Sequence, residues 1–464
     1  MPRQVMILHG WSDESKSFEP LAGFLRRHGY DPVSIWLGDY VSLDDDVTIP
    51  DVAKRMQTVF EGMWQDGRLD PSFDLIVHST GALCAREWLS AYYLDRAAAA
   101  PVKRFVMLAP ANYGSRLASM GRSLLGRVVK GWNNWFQTGE QMLHALELAS
   151  PYQWALAMRD IFSESGADAR SIYGEAGVWP FVITGSHPYP SALRQIVNED
   201  GSDGTVRVAA ANLNALGATL DFTGAGPDPA FTPWKRRYGG ELAFAVLPCR
   251  THSSIIDPDG GDVSGETPAQ KAQLGQLLLE ALGCADWGAY RGIQQRWRNI
   301  AEGTARLRKD AYYHQYVQVN VFVVDDHGSP IDDYFLEFSG PDEEPSDEST
   351  VYFHRHVLEH VHTNERNASC RCLFVDRTDL MGGFYPRIGE GFSKTLRMSI
   401  SANPPGDNVQ YFTDAKEGAK GSFKLHDRDA EDERWLKRNT THFLKIVIPR
   451  VPLEQVFRVR RPGG

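Results

Sequence analysis

A serine, an aspartate and a histidine stand in that order in the first half of this chain, each where such a residue can do chemistry. Ser79 lies in "FDLIVHSTGALCAREWL", where a run of strand-forming residues stops and helical spacing begins at once. Packing a helix straight back onto its strand forces tight φ/ψ angles on the corner residue and needs small neighbours. Such a corner holds its hydroxyl above the sheet and aims the next backbone N–H, here that of Thr80, at a developing oxyanion. Gly81 is the small neighbour that follows; Val77 stands where glycine is commonest, so a crowded corner is expected.

A serine hydroxyl becomes a nucleophile only beside a base that an acid holds in place. The base expected is His252 in "LAFAVLPCRTHSSII", a few residues past a strand end, from which a loop histidine reaches back over the sheet. Six histidines fall in the first 288 residues. His28 and His144 lie in helical patterns, His78 is locked in the corner, and His187 in "GSHPYP" is the rival to His252. The acid expected is Asp203 in "NEDGSDGTVRV", because Gly204 lets the chain turn sharply after it; Asp200 is its rival. The chain order Ser79, Asp203, His252 is one in which such sites occur. In "ILHGWSDES", Gly10 permits close backbone approach, the N–H of Trp11 offers a second oxyanion donor beside Thr80, and His9 reads as a support of the loop.

The elements that must position these residues alternate. "QVMIL", "PVSIWL", "FDLIV", "RFVMLA", "VWPFVIT" and "LAFAVL" read as buried strands, separated by helical patterns such as "DVAKRMQTVFEGMWQ". This alternation predicts a mainly parallel sheet covered on both faces. Residues ~112–176 interrupt it as a helical insertion, a lid or cap. Two helical stretches follow residue 265, the second bridging to a module with period-two patterning from His314, as in "YVQVNVFVV". The boundaries expected are 1–285 for the α/β domain, 286–312 for a helical linker and 313–464 for an antiparallel β-sandwich.

The 464 residues carry a formal net charge of -10, against bulk attraction to nucleic acid. Five cysteines with no paired spacing read as reduced thiols. The N-terminal stretch lacks a signal peptide's apolar core, and no apolar run is long enough to span a bilayer. A cytoplasmic protein is expected, or one exported by a route that needs no cleaved signal.

With "LHGW", "VHSTG", "LAPANYGSRLA", "DGTV" and "THSSI" in place, the sequence resembles the α/β-hydrolase superfamily, in its lipase and esterase branch, over roughly residues 1–285. The resemblance implies Ser79 as nucleophile, Asp203 as acid and His252 as base, and Pro110, Gly114 and Ser115 match the lead into a lid. It implies a serine carboxylic-ester hydrolase, lipase- or phospholipase-like, working through an acyl-enzyme without cofactor or metal. The alternatives are an acyltransferase on the same three residues, or a binding protein whose hydrolase domain has lost activity. The C-terminal module is not covered by the resemblance.

Two further segments bear on substrate and partner. In "SRLASMGRSLLGRVVKGWNNWF", Leu117, Met120, Leu124, Val128 and Trp132 follow helical spacing, with Arg116, Arg122, Arg127 and Lys130 basic. The stripe predicts a greasy cap over Ser79, favouring acyl or lipid esters; peripheral contact with an anionic lipid surface is the second reading. In "YFHRHVLEHVH", one continuous strand would put His354, His356, His360 and His362 on one face, a place for a metal, although a solvated sheet face is the stronger reading.

Overall fold

The computed structural model describes residues 3–459 except 11–14, 31–34, 42–43, 120–138, 165, 167, 169, 191–197, 225–228, 262–265, 308–309, 343, 345, 413–421 and 431–434. Six strands expected from their apolar runs form one sheet: β1 (Val5–Leu8), β2 (Ile35–Gly38), β3 (Phe73–His78), β4 (Val102–Leu108), β5 (Trp179–Gly185) and β6 (Ala243–Leu247). Their order is β6-β5-β4-β3-β1-β2, and every neighbouring pair runs parallel. β1 has β2 on one side and β3 on the other, so the order reverses between β1 and β3. Crevices beyond the carboxyl ends of strands at such a switch are where ligands bind in open α/β sheets.

Both faces of the sheet are covered, which is why its strands are mostly apolar. Val5, Ile7, Ile76, Val106, Ile183 and Ala245 share a core with helices α1 (Glu19–Arg27), α4 (Pro268–Leu282) and α5 (Trp287–Leu307). Successive strand residues point to opposite faces, so Met6, Leu8, Leu75, Val77 and Met107 face the other way. There α2 (Ile49–Gln65) and α3 (Gly81–Tyr93) pack, with Phe60 and Trp88 against Phe73 at ring separations of 5.5 and 6.5 Å. The starts of α2 and α4 are written in the sequence: Thr48 with Asp51, and Thr267 with Gln270, form capping boxes, each with proline in the first turn.

The helical insertion has helices at Arg116–Ser119, Glu140–Leu146 and Pro151–Asp160. Of the expected lid stripe, Leu117 is buried on the first of these; Met120, Leu124, Val128 and Trp132 lie outside the described residues.

The chain divides into two compact units, one of Met1–Ala215, Lys235–Tyr316 and Asn439–Thr441, the other of Leu216–Trp234, Val317–Arg438 and His442–Gly464. In the second unit a six-stranded sheet runs in the order Leu358–Thr363, Cys370–Asp376, Tyr316–Asp325, Thr440–Ile448, Leu216–Asp221, Ala230–Pro233. A three-stranded antiparallel sheet of Tyr334–Ser339, Thr395–Ala402 and Ser422–Asp427 shares its core, through Val317, Val321, Phe338, Leu396 and Ile446. The strand Leu216–Asp221, unforeseen in the sequence, pairs parallel with Thr440–Ile448.

The four histidines do not share a strand face. Glu348–Tyr352 is α-helical, Phe353–Val357 continues it as a π-helix, and only His360 and His362 lie on the strand Leu358–Thr363. Phe353 and Val357, four apart, are both fully buried. That is helical spacing, and it overrides the period-two look of the histidines.

All five cysteines are buried and none is in a disulfide. Burial pushes the Cys84 and Cys370 thiols up to about 12 and the Cys284 thiol to about 11. The thiolate is the reactive form, so these groups are inert. Iodoacetamide at mildly alkaline pH is expected to leave any hydrolytic activity of the folded protein unchanged, with intact-mass analysis showing no stoichiometric adduct. Inactivation in step with a single alkylation would implicate a thiol in the reaction.

Candidate active site

Ser79 follows β3 directly and has φ 52°, in the left-handed region. A non-glycine residue is held there only when its surroundings over-determine it. Here the Ser79 N–H donates to Leu108 O at 3.1 Å, and its carbonyl accepts from Ala82 N at 3.1 Å and Ala111 N at 3.3 Å. Two glycines make the room. A methyl at Gly81 would lie 2.6 Å from the carbonyl oxygen of His9, and one at Gly10 would lie 2.6 Å from Ser79 Cβ. Val77 does not crowd the corner: it is a fully buried ladder residue in register with Leu8 and Met107, one step before the bend begins.

Gly10→Ala carries the first consequence. The added carbon would lie 2.6 Å from Ser79 Cβ, 3.0 Å from the His78 ring and 3.1 Å from the His78 carbonyl, so the loop must shift away from the hydroxyl. Turnover is expected to fall by ~100-fold or more, the cost of losing one oxyanion donor. Steady-state kinetics with KM and kcat separated will check this; a kcat within a few-fold of wild type would show that the loop after β1 takes no part.

The three residues expected as nucleophile, base and acid meet. His252 Nε2 lies 3.0 Å from Ser79 Oγ, and His252 Nδ1 lies 2.9 Å from Asp203 Oδ2. A carboxylate oxygen only accepts, so Nδ1 carries the proton and Nε2 is left to take the one on Ser79 Oγ. The second carboxylate oxygen, Oδ1, accepts the N–H groups of Thr205 at 3.0 Å and Val206 at 2.8 Å, and the His252 N–H donates to the Asp203 carbonyl at 2.8 Å. Asp203 is 0% exposed, His252 3% and Ser79 6%. Asp200 is half-buried and takes no part in this chain of hydrogen bonds. His187 is occupied elsewhere, its Nδ1 3.0 Å from the Tyr313 hydroxyl.

The loops bearing these groups are fixed by neighbours to which the sequence reading gave no such role. His78 Nε2 donates to the His252 carbonyl at 3.0 Å, with the two rings 4.7 Å apart. Tyr312 donates to the Ser202 carbonyl at 3.0 Å, and burial raises its phenol well above the ordinary range. Ser115 donates to the Thr205 carbonyl at 2.6 Å. The signal for His78 was its place beside Ser79; for Tyr312, more than a hundred residues away in sequence, there was none.

His9 has the supporting role expected of it. Its Nε2 accepts the Tyr40 N–H at 2.9 Å, so Nδ1 carries the proton and donates to Gly10 O at 2.6 Å, and the ring stacks on Tyr40 at 4.4 Å. Thr80 is buried and stands at the N-cap position of α3 without a side-chain cap hydrogen bond. Trp11, the other expected oxyanion donor, lies outside the described residues.

No protein-family model matches the chain, and no curated protein does. Among solved structures, phospholipase PlaB from Legionella pneumophila matches over 100% of this chain and 97% of its own, at 25% identity and a TM-score of 0.82. PlaB in complex with thio-NAD matches over 99% of this chain and 97% of its own, at 26% identity and a TM-score of 0.79. The chain has an α/β-hydrolase fold. That fold matches phospholipase PlaB over its whole length, the extra β domain included. The α/β-hydrolase resemblance read from residues 1–285 therefore extends, in PlaB, to the C-terminal module that sequence motifs left unassigned. Among the described residues no helix is long and apolar enough to cross a membrane.

Proposed function

We propose that this protein is a serine carboxylic-ester hydrolase acting on acyl or lipid esters, with Ser79 as nucleophile, His252 as general base and Asp203 as the acid that orients it. The observation that carries the reading is the buried hydrogen-bond chain from Asp203 through His252 to Ser79 Oγ, with links of 2.9 and 3.0 Å, on a strained corner at the carboxyl end of a central strand. His252 Nε2 takes the Ser79 proton as Oγ bonds to the ester carbonyl carbon. The carbonyl oxygen becomes an oxyanion facing the Thr80 N–H, with the Trp11 N–H as second donor. The intermediate collapses to an acyl-serine, and the alcohol leaves with the proton from Nε2. Water then repeats the sequence and frees the acid.

The whole-length likeness to a phospholipase makes glycerophospholipids the first substrate class to try. Phosphatidylcholine and phosphatidylglycerol liposomes, with p-nitrophenyl esters beside them, are expected to release free acid with the wild type and not with Ser79→Ala. No release from any ester by a folded wild type would overturn the reading in favour of a binding protein. Transfer of the acyl group to an added alcohol, in place of release as acid, would assign the same three residues to an acyltransferase.

A further inference from the structure

Asp203 and His252 come from different loops, one after β5 and one after β6. Their contact works only while the two loops keep their distance. Tyr189, in the "GSHPYP" segment that follows β5, joins them from outside the contact itself. Its hydroxyl accepts from Ser253 Oγ, one residue past His252, at 3.3 Å, and lies 3.0 Å from Thr205 Oγ1, two residues past Asp203. A phenol that accepts on its oxygen still has its own proton to give, so one group serves both loops, donating to Thr205.

Tyr189 is itself held in place. Asn198 pairs with its backbone as a neighbouring strand would: Oδ1 accepts the Tyr189 N–H at 2.9 Å, and Nδ2 donates to the Tyr189 carbonyl at 3.0 Å. Its ring lies against the turn just after the acid, where a carbon added at Gly204 would come within 2.6 Å of Tyr189 Cδ2. Gly204 has φ 94°, so glycine is needed there twice, for the turn and for the ring. Tyr189 is 2% exposed, which keeps it from touching a substrate and leaves it to act through its neighbours.

We infer that Tyr189 is a positioning residue, whose hydroxyl braces the acid loop against the base loop and so holds Asp203 Oδ2 on His252 Nδ1. The direct links between the loops, Oδ2 to Nδ1 at 2.9 Å and the His252 N–H to the Asp203 carbonyl at 2.8 Å, both run through the two reacting residues. The Tyr189 bridge spans the residues beyond them and resists a rotation about that pair. The inference rests on the hydrolase reading for its effect on turnover but not for its effect on the imidazole, so two measurements separate them.

In the first, Tyr189→Phe keeps the ring against Gly204 and removes the bridge alone. Counted per site titrated with a fluorophosphonate, kcat is expected to fall roughly 10-fold, the scale of one to two neutral hydrogen bonds, with KM within about twofold of wild type. Thr205→Val leaves the backbone N–H that Asp203 Oδ1 accepts, and should give a similar loss; the double variant should lose little more, because both changes cut one bridge. An unchanged kcat per titrated site in Tyr189→Phe, or losses that multiply in the double variant, would overturn the inference.

In the second, proton NMR follows the His252 Nδ1–H in Ser79→Ala, which needs no turnover. That proton resonates far downfield because it is bonded to a carboxylate. Adding Tyr189→Phe is expected to move it upfield and to broaden it by faster exchange with water. The same position and width with and without the phenol would overturn the inference. If the wild type hydrolyses no ester and the resonance still responds to Tyr189→Phe, the hydrolase reading falls and the positioning role stands.

Discussion

Ser79→Ala is expected to lower ester turnover by ~10⁶-fold, the scale seen when a serine nucleophile is removed from such a group of residues. The fold should survive. Alanine keeps the Cβ that the left-handed corner already tolerates at φ 52°, and the backbone bonds to Leu108, Ala82 and Ala111 do not involve the hydroxyl. What is lost is the atom 3.0 Å from His252 Nε2. The residual rate belongs to the oxyanion donors and to substrate binding, which still act on an attacking water. His252→Ala should give a similar loss, and the double variant little more, because the two act as one unit. Single-turnover assays with a chromogenic ester check this; additive losses in the double variant would mean that the serine and the histidine work independently.

The second large effect is expected at the acid. Asp203→Asn should lower kcat by ~10⁴-fold with only a small change in KM. The cause is local geometry. Asp203 Oδ1 is held by the N–H groups of Thr205 and Val206, and Oδ2 faces His252 Nδ1. An amide placed there keeps its oxygen on the two backbone donors, so its NH₂ must face the ring. Nδ1 then becomes the acceptor and the proton moves to Nε2, where it meets Ser79 Oγ as a donor. The base is in the wrong tautomer, although no atom has moved far. Because the fault is one of proton placement, activity should return partly as pH rises and hydroxide takes over as base. The kcat–pH profile of the variant checks this against the wild type. A loss of less than ~10-fold would show that Asp203 only shapes its loop.

Much of this was legible because the demands are local. A serine on a strand-to-helix corner needs a small residue two places on, and Gly81 answers that need against the His9 carbonyl. An acid that must turn out of a loop benefits from a following glycine, and Gly204 has φ 94°. The strands of the central sheet carry apolar residues on both faces, which fixes their burial before any partner is known. The misreadings come from information that is not local. The strand Leu216–Asp221 is unforeseen because its partner Thr440–Ile448 lies more than two hundred residues away, and pairing of that kind leaves no mark in either segment. His354 and His356 alternate like strand residues, yet the buried pair Phe353 and Val357 around them sets a helical turn. Val77 looked like an obstacle because a motif position was read without its register. In the sheet it is a ladder residue, and the space at the bend is made by Gly10 on the neighbouring strand's loop.

One measurement bears most directly on the central claim, that Ser79 is a nucleophile activated by His252. The wild type is treated with a fluorophosphonate, digested, and the modified peptide sequenced by mass spectrometry. A single phosphonyl group is expected on Ser79, formed at a rate that falls steeply in His252→Ala and in Asp203→Asn. Labelling of another residue, or labelling of Ser79→Ala at the wild-type rate, would contradict it.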